Sequence, residues 1–236
     1  MATILDIATK ARFLVDADTK SYTDANLLRE LNEAYEWVVG YILGLDGMWQ
    51  YDDTNFTDHP IATTTLVEGQ YDYAFEDAFL EVLKIQVKDA DGKEHFLDQI
   101  DRYEADQPLE EKYDVNGLPR KYDVQGGSVF IYPAADGGAS VTLDAGLKTF
   151  YQRTADVYTS VQFSAGTKVP GFASPYHYIL SFKAALTYAL KYKPNRVAAI
   201  QSQILILSKD IKTHYARRNY DKRPRLTMSG SVNQAK

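Results

Sequence analysis

Between Tyr176 and Leu190 the chain carries one charged side chain, Lys183, so a helix built from this stretch is apolar on nearly every face. Such a helix belongs in the middle of a core, because no orientation on a surface would hide it. Ala184, Ala185 and Ala189 would let neighbouring elements approach it closely. Ser174 is placed to cap it, with Pro175 at the first helical position, where the missing amide hydrogen does no harm. Beyond Pro194, the residues Val197, Ile200, Ile204, Leu207, Ile211 and Tyr215 recur at the helical repeat of about 3.6 and form a single stripe. The chain must therefore contain a late helical pair, one member central and the other one-sided.

Two earlier segments supply helices to pack against that pair. Residues 3 to 14 read as a short helix: Thr3 is the cap, Asp6 sits three positions on, and Ile4, Ile7, Ala8, Ala11 and Leu14 share a face. Thr23 caps a second helix running to about Leu43, with Leu28, Leu31, Tyr35, Val38 and Ile42 on one face and Gly44 near its end. From Ile61 to about Leu147 the period changes to two. Tyr71, Tyr73 and Phe75 alternate with Asp72 and Ala74, and Leu83, Ile85 and Val87 alternate with Lys84, Gln86 and Lys88, the pattern of strands with one wet face. Asp91-Gly92 turns the chain into Glu94 to Leu97, Asp101 to Asp106 reads as a brief helix, and Val141 to Leu143 as another strand.

These periods predict an α+β fold. A helical bundle, with one long N-terminal helix and two long C-terminal helices, carries an inserted small antiparallel β-domain and an extended C-terminal tail. The corresponding segments are 1–58 (helical), 59–168 (β-rich insertion), 169–218 (helical pair completing the bundle) and 219–236. In the last, Lys222, Arg223, Pro224 and Arg225 precede a Ser, Gly, Asn and Gln tail too poor in apolar residues to fold alone, so a flexible basic tail is expected.

Composition removes many functions. The absence of cysteine excludes disulfides, Cys-ligated zinc, iron-sulfur clusters and thiol nucleophiles. Asp6, Lys10 and Arg12 interrupt the first apolar stretch, which breaks a signal-peptide core, and no run approaches the ~18 apolar residues of a membrane span, so no membrane anchor is expected. His59, His95, His177 and His214 lack the local spacing of a zinc motif. Asp52-Asp53 and Glu110-Glu111 read as solvated loop charge, since carboxylate pairs at glycosidase separations arise by chance among 32 acidic residues. No nucleophile elbow, phosphate loop or dinucleotide fingerprint is present, and Gly137-Gly138 reads as a strand connection. The expectation is a protein with no catalytic residues, no metal and no cofactor.

Charge is divided unevenly along the chain. Residues from 183 onward hold twelve Lys and Arg against only Asp210 and Asp221, while the chain as a whole is at −6. In a homo-oligomer, opposite ends of such a molecule could meet, steering encounter and fixing register. Lys209, Lys212, Arg217 and Arg218 on the last helix are also explained by the favourable position of cations near a helix C-terminus. Arg217, Arg218, Lys222, Arg223 and Arg225 read as docking or inter-subunit residues, because those beyond the helix gain nothing from that effect.

The stretch Gly117 to Pro133 combines several of these signals. Pro119 pushes Leu118 toward extended backbone, Tyr122 precedes a Gly126-Gly127 turn, and Val129 to Tyr132 is a strand-like run ended by Pro133. With Tyr22-Thr23-Asp24, Glu68 to Tyr73, Val169-Pro170 and Pro175-Tyr176-His177 in the same order along the chain, this block resembles the head-tail adaptor (connector) proteins of tailed bacteriophages. The resemblance runs from about Tyr22 to Tyr192, and the segment from Gln152 to Gly166 departs from it, being rich in Thr and Ser where relatives have prolines.

It implies that Gly117, Pro119, Tyr122, Tyr132, Pro133 and Pro175 are structural motif residues. It also implies a virion protein of the neck, assembled in the bacterial host cytoplasm. Twelve copies would form a ring under the portal protein, with the tail or next neck protein bound below and double-stranded DNA passing non-specifically through the channel. Two other readings remain open at this level: a carbohydrate-binding or glycan-cleaving tail component, suggested by the Tyr-rich β-domain, and a non-specific DNA-binding protein using the basic terminus.

Overall fold

The computed structural model describes residues 1–45, 61–74, 79–100 and 113–217. It begins with α1 (Ile4–Val15), started by the expected capping box. The Asp6 amide donates to the Thr3 hydroxyl oxygen, and the Thr3 amide donates to the Asp6 carboxylate. Donation to the Asp6 carboxylate from the Thr3 amide, and then from the Thr3 hydroxyl, holds that carboxyl below its ordinary range. Asp16 ends the helix in the left-handed region at φ 50°. Arg12 then donates to the Tyr22 carbonyl and pairs with Asp24, fixing the entry of α2 (Asp24–Leu45). Both helices bury the predicted stripes, with Val15 and Leu27 buried more completely than Leu14 and Leu28.

After α3 (Ser160–Ala165) come α4 (Ile179–Tyr192) and α5 (Val197–Arg217), each of the latter two entered through a 3-10 turn. The central role predicted for α4 holds: it packs against α1, α2 and α5, and buries Ile179, Leu180, Ala184, Ala185 and Ala189. The Ser181 hydroxyl donates to the Ile7 carbonyl in the buried α1–α4 contact. Two details differ from expectation. Ser174 makes no capping bond, because Ser174 and Pro175 lie within the 3-10 turn Ser174–Tyr176 and the α-helix starts later, at Ile179. The last turn of α4 is open, with Leu190 61% exposed. The α5 stripe faces inward, burying Ile200, Ile211 and Tyr215 and half-burying Val197, Ile204 and Leu207.

Between the helices lie β1 (Ile61–Thr64), β2 (Asp72–Ala74), β3 (Phe79–Lys88), β4 (Glu94–Phe96), β5 (Asp98–Gln99), β6 (Lys121–Gln125), β7 (Ser128–Tyr132) and β8 (Leu147–Arg153). They form two four-stranded sheets, ordered β1-β8-β3-β4 and β2-β7-β6-β5. Among the described strands every pairing is antiparallel except the short β5 with β6, so antiparallel pairing dominates, as expected. β8 was not foreseen and sits at the centre of the first sheet, paired on both sides. Val141 makes an isolated bridge to Asp89 in place of the expected strand. Gln86, assigned to a wet face, is 8% exposed.

The apolar residues fall into two clusters. One unites α1, α2, α4 and α5, and includes Tyr158 and Phe172 from the connecting segments. The other joins the sheets through Leu66, Tyr73, Ile85, Val87, Tyr122, Val129, Ile131 and Leu147. The readings at Asp52-Asp53, His59, Phe75, Asp101 to Asp106, Glu110-Glu111 and the tail from 219 onward fall outside the described residues.

Candidate interaction surfaces

The Gly117–Pro133 block forms the β6–β7 hairpin in the middle of the second sheet, and its signature residues are built into the fold. Gly126 takes φ 59° in the turn joining β6 to β7, a conformation that disfavours any side chain. Before β6, the Gly117 amide donates to the Ala134 carbonyl at 2.8 Å and the Arg120 amide to the Tyr132 carbonyl at 2.9 Å, so Pro119 occupies a position between two anchored residues. Tyr132 is fully buried, with the Tyr71 and Tyr113 rings at 5.7 and 5.8 Å, and a cis peptide joins it to Pro133. Tyr122 is buried on the other strand, and burial pushes its phenol up. Pro175 stands apart from these, in the exposed 3-10 turn before α4.

The tyrosines of the sheets serve the core. Tyr73 is buried, its hydroxyl accepts from the Val67 amide, and burial raises its pKa. Tyr71 is half-buried and donates to the Tyr113 carbonyl. The large apolar residues that these sheets do expose, among the described residues, are aliphatic or Phe: Ile61, Val67, Leu80, Phe96, Val115 and Val124. A platform of exposed tyrosines, the feature a sugar-binding surface would use, is absent among the described β residues.

Nor do the histidines form a chemical site. His177 is buried with Nε2 2.8 Å from the Phe172 carbonyl and Nδ1 3.2 Å from that of Ala2, which locks the N-terminus against the segment before α4. Desolvation depresses its pKa. His95 pairs with Asp89, and that bond, followed by the Lys93 amide, lowers the Asp89 pKa. His214 lies between the Tyr176 and Tyr215 rings. Among the described residues no group of three or more His, Asp or Glu could hold a metal ion. None of the described helices is long and apolar enough to cross a membrane.

What the subunit does present is helix surface. On α2, Trp37 is stacked on Tyr41 at 5.2 Å, and Lys183 of α4 lies 3.5 Å from the Trp37 ring centroid. Burial lowers the Lys183 pKa. On α5, Leu205 and Ile206 are 71% and 53% exposed. The sequence reading missed this outer face, because it followed only the inward stripe; the adjacent apolar pair off that stripe was the available signal. Of the basic residues singled out for docking, Arg217 is the last residue of α5, while Arg218, Lys222, Arg223 and Arg225 lie outside the described residues.

The model of the family described as SU10 adaptor protein matches residues 2–222. Among curated proteins none matches.

Proposed function

Because the chain belongs to the SU10 adaptor protein family, we propose that it is a structural head-tail adaptor that forms a ring under the portal, completes the DNA channel and offers the tail its attachment platform. The family match over residues 2–222 carries this reading. It extends past both ends of the resemblance first noticed in the sequence, through α1 and past the end of α5.

The geometry supports a role that is mechanical rather than chemical. The subunit is built on two packed apolar clusters, Tyr122 and Tyr132 of the motif are buried, and large apolar residues are exposed on its helices and sheets. In the proposed assembly twelve copies surround the channel, the portal takes the basic segment from Arg217 onward, and the next neck or tail protein binds opposite. The body ahead of residue 183 is acidic and would contact passing DNA only loosely, since strong phosphate neutralisation would impede sliding.

The experiment is the mass of the species formed by purified subunit with and without a purified portal ring. A discrete portal-bound ring is expected. A subunit that stays monomeric with the portal present would overturn the reading. The carbohydrate-binding alternative has less support, since the described β-domain tyrosines are buried or half-buried.

A further inference from the structure

The outer side of α5 has no partner within the described subunit. Ala198, Ser202, Leu205, Lys209, Lys212 and Ala216 recur three or four residues apart along it and all are exposed. The outer side of α2 bears Glu33, Glu36, Gly40 and Gly44, also exposed, and a Cβ built at either glycine would meet nothing within 4 Å. Glycine is among the poorest helix formers, so bare positions in a 22-residue helix weaken it with no return inside the subunit. None of Glu33, Glu36, Lys209 and Lys212 makes an ion pair among the described residues.

We infer that the second surface is the partner of the first, in a neighbouring copy: α5 of one subunit lies antiparallel across α2 of the next. This rests on the ring proposed above and names its subunit contact. One register serves every residue involved. Stepping along α2 from Glu33 to Glu36 to Gly40 is three residues and then four; stepping back along α5 from Lys212 to Lys209 to Leu205 is the same three and four. Lys212 then faces Glu33, Lys209 faces Glu36, and Leu205 sits over Gly40, where the missing side chain lets the helices close up. Gln201, also exposed, then faces Gly44. A contact of α5 with its own copy would instead bring Lys209 and Lys212 against each other, and one of α2 with its own copy would oppose the glutamates. The pairing is thus between unlike faces, the kind that propagates around a ring.

The natural chain has no cysteine, which permits a direct test. Two single variants, Gly40→Cys and Leu205→Cys, carrying tags of different size, are assembled on the portal ring separately and as a mixture, then treated with a short bis-maleimide. The inference expects linked pairs of unlike subunits from the mixture and from neither variant alone. Links within a single-variant preparation, or portal-bound rings that give none in the mixture, overturn this face pairing and leave the ring reading standing. Failure of the natural chain to assemble on the portal overturns both. As a second measurement, the double change Glu33→Lys, Glu36→Lys is expected to abolish assembly, and adding Lys209→Glu and Lys212→Glu to restore it. Absence of that restoration, with helical content preserved, counts against the register.

Discussion

The segment just before α4 is held to the bundle by two tyrosine hydroxyls, and their different burial makes a quantitative prediction. Tyr35 of α2 accepts from the Gly171 amide at 2.8 Å, and both residues are buried. Tyr215 of α5 accepts from the Ala173 amide at 3.0 Å, but Ala173 is half-buried. Changing Tyr35→Phe keeps the ring, and with it the stacking on Tyr158 at 5.1 Å and the contact with Phe172 at 6.0 Å, while leaving the Gly171 amide without its acceptor in a dry site. An orphaned buried donor costs about 1–3 kcal/mol. At Ala173 water can replace the lost acceptor, so Tyr215→Phe should cost only about 0.5–1.5 kcal/mol, the net value of an ordinary hydrogen bond. For a chain of this length about 2 kcal/mol corresponds to a Tm drop of roughly 4–8 °C. Urea denaturation followed by far-ultraviolet circular dichroism, with calorimetry for Tm, measures both variants. If Tyr35→Phe were neutral, or cost less than Tyr215→Phe, the argument that burial sets the penalty at this anchor would be refuted.

Three further outcomes are expected. Desolvation lowers the His177 pKa below the ordinary ~6.5 against the smaller opposing effect of its two carbonyl contacts, so the native state binds fewer protons than the unfolded one just below that value. Stability should hold above about pH 6.5 and fall as the pH drops from there toward the folded pKa, and an NMR titration placing the folded imidazole at or above 6.5 would contradict this. Gly146→Ala should destabilise the β core, because a Cβ there would lie 1.8 Å from the Thr142 carbonyl oxygen; hydrogen exchange should show lost protection along β8, and wild-type protection would show that the loop moves aside freely. Truncation after Arg218 should abolish portal binding while leaving helical content unchanged, which co-sedimentation with the portal ring checks; full binding by the truncated chain would remove the tail from the docking mechanism.

How much of this was legible in the sequence depended on whether the signal was local. Thr3 and Asp6 specify their helix start within four residues, and the stripe from Val197 to Tyr215 repeats long enough to exclude a strand. β8 was missed because Leu147 to Arg153 has no alternation of apolar and charged residues: it is a central strand, covered on both edges by β1 and β3, and its polar Thr149 and Gln152 are buried. α3 was hidden in a Thr- and Ser-rich stretch, although Thr159 and Gln162 form the same capping box as Thr3 and Asp6. The parallel β5–β6 pair depends on contacts between residues more than twenty apart, which no local pattern encodes. The motif residues Gly117, Tyr122, Tyr132 and Pro133 were legible as a hairpin, but the burial of Tyr122 and Tyr132 came only from packing.

The uneven charge distribution bears on symmetry as well as on partners. Residues before 183 are acidic and those after it basic, and α2 and α5 carry that division on two separate outer faces. A two-fold dimer built on α5 alone or on α2 alone opposes charges of like sign. A head-to-tail contact places each sign against the other and leaves one unused face of each kind at its ends until a ring closes. Surface ion pairs contribute only about 0–1 kcal/mol each, too little to assemble a ring unaided, but they select which faces meet. Leu205 and Ile206 supply the apolar area that such pairs lack. In the proposed assembly the subunit therefore needs the portal to set the number of copies, because the contact itself determines only the angle between neighbours, and a small error in that angle would open the ring into a helix.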